Sequence, residues 1–145
     1  MADGFRLRHF VDAQAPVYDT VLAELVAGRK RSHWMWFIFP QLAGLGHSDM
    51  ARRYALSGVA EAQAYLEHVV LGARLFECSA LVAAIPGRAI GDIFPTPDDM
   101  KFHSCMTLFS LAAPEQQIFS ECLQKYFAGA RDAATLSLLP HKDIP

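Results

Sequence analysis

Two stretches hold most of the residues that could do chemistry. The first is Arg29-Lys30-Arg31-Ser32-His33-Trp34-Met35-Trp36-Phe37-Ile38-Phe39-Pro40-Gln41. Three cations precede a serine, a histidine and two tryptophans. Cations bind phosphate, and an indole face stacks on a base or on another cation. Ser32 is placed to begin a short helix whose free N–H groups would add to an anion site. On this reading Arg29, Lys30, Arg31 and Ser32 hold an anionic or nucleotide-like small molecule. Trp34 or Trp36 stacks on it, and Gln41 completes the set. The plainer reading is that Trp34, Trp36, Phe37 and Phe39 fill a core behind a solvated rim of cations. Two tryptophans so close in sequence cannot point the same way on a helix. The expectation is therefore mixed: one packs and the other lines a pocket.

The second stretch is Asp98, Asp99, Lys101, His103 and Ser104. Lys101 and Ser104 are three apart and Asp99 and His103 four apart, so each pair shares a helical face. A carboxylate holding a histidine is the minimum equipment of a general base. His33, Asp98, Asp99 and His103 are thus the acid–base candidates, and Lys101 and Ser104 join the ligand-binding set. A structural reading competes. Thr96-Pro97-Asp98-Asp99 is a helix start: Thr96 can accept from a backbone N–H, Pro97 suits the first position, and two carboxylates favour the positive end of the helix dipole.

Other motifs are missing. There is no G-x-x-x-x-G-K-[ST], no G-x-G-x-x-G after a strand and no G-x-S-x-G. The histidines are scattered and lack H-E-x-x-H spacing, so neither a metal nor a cofactor is expected. Cys78, Cys105 and Cys122 are odd in number and form no C-x-x-C pair. They read as three reduced, packed thiols.

The elements that must position these residues read as helices. A first helix is expected over residues 5–14, and Pro16 opens a second that Gly28 closes. Ser48 can cap a short helix, and Ser57 or Gly58 another through Leu66. Leu71, Leu75, Cys78, Val82 and Ile85 recur at intervals of 4, 3, 4 and 3, which is one helical face. Ile90 to Phe94 reads as a short turn. From Phe102 to Pro114 there is no Asp, Glu, Lys or Arg. A helix without charge all round is a buried one. Pro114 opens the next helix, and Asp132 can cap a last one. Only the aromatic block and residues 54–56 could pass for strands, and no partners for a sheet are evident.

The fold expected is therefore all-α: one compact helical domain, residues 1–145, around a central uncharged helix at about 97–113, with room for a minor two-stranded element. The bulk numbers agree. Of 145 residues 52% are hydrophobic and 19% charged, enough apolar material for a core. The net charge of −2 gives no global pull toward nucleic acid. No apolar run approaches the roughly 20 residues that span a bilayer. Charges at Arg6, Arg8 and Asp12 break a secretory pattern. A cytoplasmic location is the default expectation, with no membrane partner.

Residues 29–46, continuing through Leu42-Ala43-Gly44-Leu45-Gly46, resemble the bacterial domain-of-unknown-function family eighteen-ten. The likeness extends to Phe10-Val11-Asp12-Ala13-Gln14, to Tyr65-Leu66-Glu67-His68 with Leu71-Gly72, to Pro97-Asp98-Asp99-Met100-Lys101 and to Met106-Thr107-Leu108-Phe109. It covers nearly the whole chain. It implies a small, helical, stand-alone protein and lends no catalytic residues. The label "calpastatin" often attached to that family denotes a disordered, repeat-built chain, whereas this one is apolar and repeat-free. A fainter likeness is to the small helical ADP-ribose-linkage N-glycosidases, through size, helical character, Trp content and Lys101-Phe102.

Three functions follow as expectations. The first is binding of a phosphate-containing small molecule where residues 29–41 meet the start of the central helix. The second is a non-catalytic protein-interaction or self-association module, in which the aromatic block is an exposed surface and the chain a homo-oligomer. The third is a small hydrolase of ADP-ribose-type N-glycosidic linkages.

Overall fold

A computed structural model describes residues 5–145. The helices are α1 (Arg8–Gln14), α2 (Tyr18–Val26), α3 (Met35–Ile38), α4 (Asp49–Arg53), α5 (Val59–Glu67), α6 (Val69–Ala84), α7 (Ile90–Ile93), α8 (Asp98–Ala112), α9 (Gln117–Phe127) and α10 (Ala133–Leu138), followed by a 3-10 turn at His141–Asp143. The fold is all-α. Among the described residues the expected two-stranded element shrinks to one parallel bridge between Leu42 and Leu56. There the Ala43 N–H donates to Leu56 O at 2.8 Å and the Leu56 N–H to Gln41 O at 3.0 Å.

Helix α8 is the centre. Phe102, Cys105, Met106, Thr107, Leu108 and Phe109 are completely buried. Helices α5 and α9 pack against α8, and α6 closes on both of them. A charge anywhere on α8 between these neighbours would have to be desolvated, which is why the stretch carries none. The buried Thr107 hydroxyl accepts from the Asp132 N–H at 2.9 Å.

The face of α6 predicted from spacing is the buried one: Leu71, Leu75, Cys78 and Val82. Its ends are held by residues that spacing does not suggest. His68 Nδ1 accepts from the N–H groups of Val70 and Leu71 at 3.2 and 3.3 Å. The Lys125 ammonium donates to the carbonyls of Ala83 and Ile85 at 2.7 and 2.6 Å. Both satisfy backbone groups that a helix terminus leaves open.

Several boundaries differ from expectation. α1 starts at Arg8, α2 at Tyr18 beyond Pro16, and α9 at Gln117 beyond Pro114. Thr96 does not cap α8. The Asp98 N–H is taken by the Pro95 carbonyl at 2.9 Å, so the helix starts one residue later and Pro97 flanks it. Ser48 and Asp132 do cap, accepting from Ala51 and Thr135 at 3.1 and 3.0 Å.

The aromatic block becomes α3, and most of it is core. Trp34, Met35, Phe37, Ile38 and Phe39 are buried. Phe39 sits edge-on to Phe94 and Phe102, with ring centroids 5.7 and 5.1 Å apart. Most of these rings are spent on the protein's own interior, and Trp36 is half-buried. No helix among the described residues is long and apolar enough to cross a membrane.

Candidate functional site

The anion expected ahead of α3 is supplied by the chain itself. Glu24, on α2, reaches across with both oxygens. Oε1 accepts from the N–H groups of Arg31 (2.8 Å) and Ser32 (3.1 Å) and from the Trp34 indole N–H (2.9 Å). Oε2 accepts from the Ser32 hydroxyl at 2.6 Å. Burial by itself would raise the carboxyl. The bonds from Arg31, Ser32 and Trp34 outweigh it and hold Glu24 below the usual carboxylate value. The Arg31 backbone N–H, the N–H and hydroxyl of Ser32 and the Trp34 indole N–H are thus committed to an internal carboxylate, and Trp34, 1% exposed, cannot stack on a ligand. Arg29, Arg31 and His33 face solvent.

Lys30 turns inward. Its side chain is 8% exposed, and its ammonium lies 2.8 Å from Asp98 Oδ2 and 5.2 Å from the Trp34 ring centre. It ties the aromatic block to the start of α8 and is not a rim cation. Asp98 is thereby an ion-pair partner. Its other oxygen, Oδ1, lies 3.5 Å from the Lys101 ammonium. Two ammonium groups share this one carboxylate. Lys101 also lies 5.5 Å from the ring centre of Trp36, which is half-buried. One tryptophan packs and the other meets a cation at the surface.

Beyond Lys101 lies a cleft of about 210 Å³, bounded by residues 41–46, the first turns of α8 and the start of α10. Gln41, Lys101 and Ser104 line it together with Met100 and Asp132. Three of the expected ligand-binding residues therefore converge here. Asp132, read from sequence only as a helix cap, was missed as a site residue. Its Oδ2 accepts from the Thr135 N–H at 3.0 Å, the Thr135 hydroxyl at 2.6 Å and the Ser104 hydroxyl at 3.2 Å.

The expected Asp99–His103 pair does not form. Asp99 Oδ1 accepts from the Met100 N–H at 2.9 Å, serving a free donor of the first helical turn. His103 packs instead against the C-terminal end of α9. Its Nε2 lies 2.8 Å from the Ala130 carbonyl, and its ring lies flat on Phe127 with centroids 3.9 Å apart. The carboxylate it meets is Asp132, at 3.9 Å from Nδ1. The signal that could have found this partner was the Asp132 cap itself, but nothing local ties residue 132 to residue 103.

The thiols do not join the site. Burial pushes Cys78 and Cys122 up to about 12 and Cys105 well above its usual value. No group of three or more His, Cys, Asp or Glu among the described residues could hold a metal ion.

Comparison with known proteins fits this picture. The model of the family described as "protein of unknown function (DUF1810)" matches residues 4–139. The crystal structure of the conserved hypothetical protein Rv1873 from Mycobacterium tuberculosis superposes with a TM-score of 0.93 at 55% identity, covering 94% of this chain and 98% of that one. No curated protein matches. A match of this extent, in sequence and in fold, makes the chain a member of the DUF1810 family.

Proposed function

We propose that the protein binds a small molecule through an anionic group, in the cleft between residues 41–46, α8 and α10. The observation that carries this reading is the state of Lys101. Its contact with Asp98 Oδ1 is long, at 3.5 Å, and Lys30 holds the other oxygen of that carboxylate at 2.8 Å. The Lys101 ammonium has three donors and its side chain is a fifth exposed, so it keeps charge and hydrogen bonds for a second anion. The Trp36 ring, 5.5 Å from the ammonium, helps to hold it in place by cation–π attraction. The anion site moves from the backbone ahead of α3, filled by Glu24, to the first turn of α8. Ligand sites for drug-sized molecules run from about 300 Å³ upward. A cleft of about 210 Å³ suits a smaller molecule, or one end of a nucleotide.

Thermal melting against nucleotides, ADP-ribose and sugar phosphates tests this. A ligand at 100 times its dissociation constant adds about 2.7 kcal/mol, a shift of roughly 5–10 °C for a domain of this size. Lys101→Met keeps the aliphatic stem against Trp36 and removes the charge. The shift is expected in the wild type and absent in Lys101→Met. A flat panel, or a shift that survives the substitution, overturns the reading.

A further inference from the structure

Among the described residues, Asp98 is a carboxylate that meets two ammonium groups, and the two are not equivalent. Lys30 Nζ lies 2.8 Å from Oδ2, and the Lys30 side chain is 8% exposed. Lys101 Nζ lies 3.5 Å from Oδ1, and its side chain is 20% exposed. The tryptophan rings beside them, Trp34 and Trp36, attract a cation without neutralising it. The three charged side chains therefore sum to +1, and the surplus falls to Lys101. Lys30 is the closer and the more buried, and a charge taken out of water costs most when left unpaired.

Lys30 stands ahead of α3 and does not line the cleft. Its place is fixed from elsewhere: its N–H donates to the Ile93 carbonyl, at the end of α7, at 2.9 Å. Lys101 does line the cleft, three residues after Asp98 on one face of α8. With Lys30 gone, the whole Asp98 charge would fall on Lys101, and an incoming anion would have to compete with it. With Asp98 gone, that competition would end.

We propose that Lys30 and Asp98 set the anion affinity of Lys101 with opposite signs. Asp98 is an internal anion that competes with the ligand for the Lys101 ammonium. Lys30 is a positioning residue: it draws off the Asp98 charge and leaves Lys101 available. This deepens, and rests on, the reading of Lys101 as an anion site. The same contacts would also serve as a plain brace between residues 29–41 and α8. The two roles differ in sign at Asp98. A brace fails when either partner goes, so both substitutions would weaken binding. Removing a competitor strengthens it.

The probes are inorganic phosphate, adenosine monophosphate and ADP-ribose, titrated by calorimetry at one ionic strength. Lys30→Met lowers the local charge from +1 to zero. It is expected to weaken binding about tenfold, the effect of one charge a few ångströms away in a half-exposed site. Asp98→Asn raises the charge to +2 and keeps an oxygen for Lys30 to donate to. It is expected to tighten binding about tenfold. The double variant restores +1 and is expected to return to within about threefold of the wild type. Weaker or unchanged binding in Asp98→Asn overturns the inference and leaves the anion site standing. So does unchanged binding in Lys30→Met. Absence of binding by all three probes, or binding that survives Lys101→Met, overturns both. Urea midpoints fall for both single variants under either role, so the sign of the affinity change decides. If Lys30→Met does not fold, Asp98→Asn still carries that sign.

Discussion

Glu24 shows how a single side chain can settle the use of a whole segment. It accepts four hydrogen bonds, from the Arg31 and Ser32 amides, the Ser32 hydroxyl and the Trp34 indole. Glu24→Ala strands three N–H donors in a half-buried place and is expected to cost about 3 kcal/mol, with Glu24→Gln costing less than half of that. The lowered carboxyl fixes the pH dependence. The unfolded chain binds this proton at a higher pH than the folded one. The contribution is therefore complete above the ordinary value of 4.5 and is lost as pH falls through the folded value. Urea midpoints measured from about pH 7 to pH 3 should fall more steeply for the wild type than for Glu24→Gln. Parallel acid limbs would refute the assignment. That the two close tryptophans diverge was legible, but the pocket expected at one of them was not found at the cleft: Trp36 meets the Lys101 ammonium and is not among the residues that line it. Glu24 was not legible as the partner of Arg31, Ser32 and Trp34. It sits on another helix, eight residues before Ser32, and local patterning carries no information on which carboxylate will arrive. The same holds for Asp132, which lies 28 residues from Ser104.

At the scale of elements, the join between α5 and α6 has no spare room. His68 ends one helix and caps the next, and Gly72 stands one turn into α6. A Cβ there would lie 2.1 Å from the Leu66 carbonyl oxygen and 2.9 Å from its carbon. Both are backbone atoms, so relief means prising the two helices apart. Alanine has the better helix propensity by about 1 kcal/mol. Gly72→Ala is nevertheless expected to destabilise by about 3 kcal/mol, since overpacking against backbone outweighs propensity. Gly91→Ala, in α7, is the control: its Cβ meets nothing within 4 Å, and the variant should be neutral or slightly more stable. Urea denaturation of the two reads the difference, and equal midpoints would refute the close approach. The helices themselves were largely legible. The 4-3-4-3 spacing of α6 and the uncharged run of α8 each state a burial pattern that only a helix satisfies. The starts were less so, because Thr96 and Pro97 fit a cap in principle while the Pro95 carbonyl took the first N–H in practice.

Over the whole molecule, the core joins α6, α8 and α9, and each contributes one cysteine with no exposure: Cys78, Cys105 and Cys122. The thiolate is the reactive form. At about pH 8 a thiol raised to about 12 is ionised to one part in about ten thousand, before access is considered. Labelling in the folded state should therefore be negligible, and each thiol should react only when its helix is released. Because α9 packs on both α6 and α8, no one of them can expose its cysteine without uncovering the face of another. The three are expected to label at a common rate with a common urea dependence, equal to that of global unfolding. Mass spectrometry of partly labelled protein would then find only chains with no label or with three. Singly labelled chains at low urea would mean that one helix opens alone, and the cysteine that carries the label would identify it. Its position would also bear on the proposed site, since α8 supplies both Lys101 and Ser104: on a helix that opens only with the whole molecule, the cleft keeps its shape in the free protein.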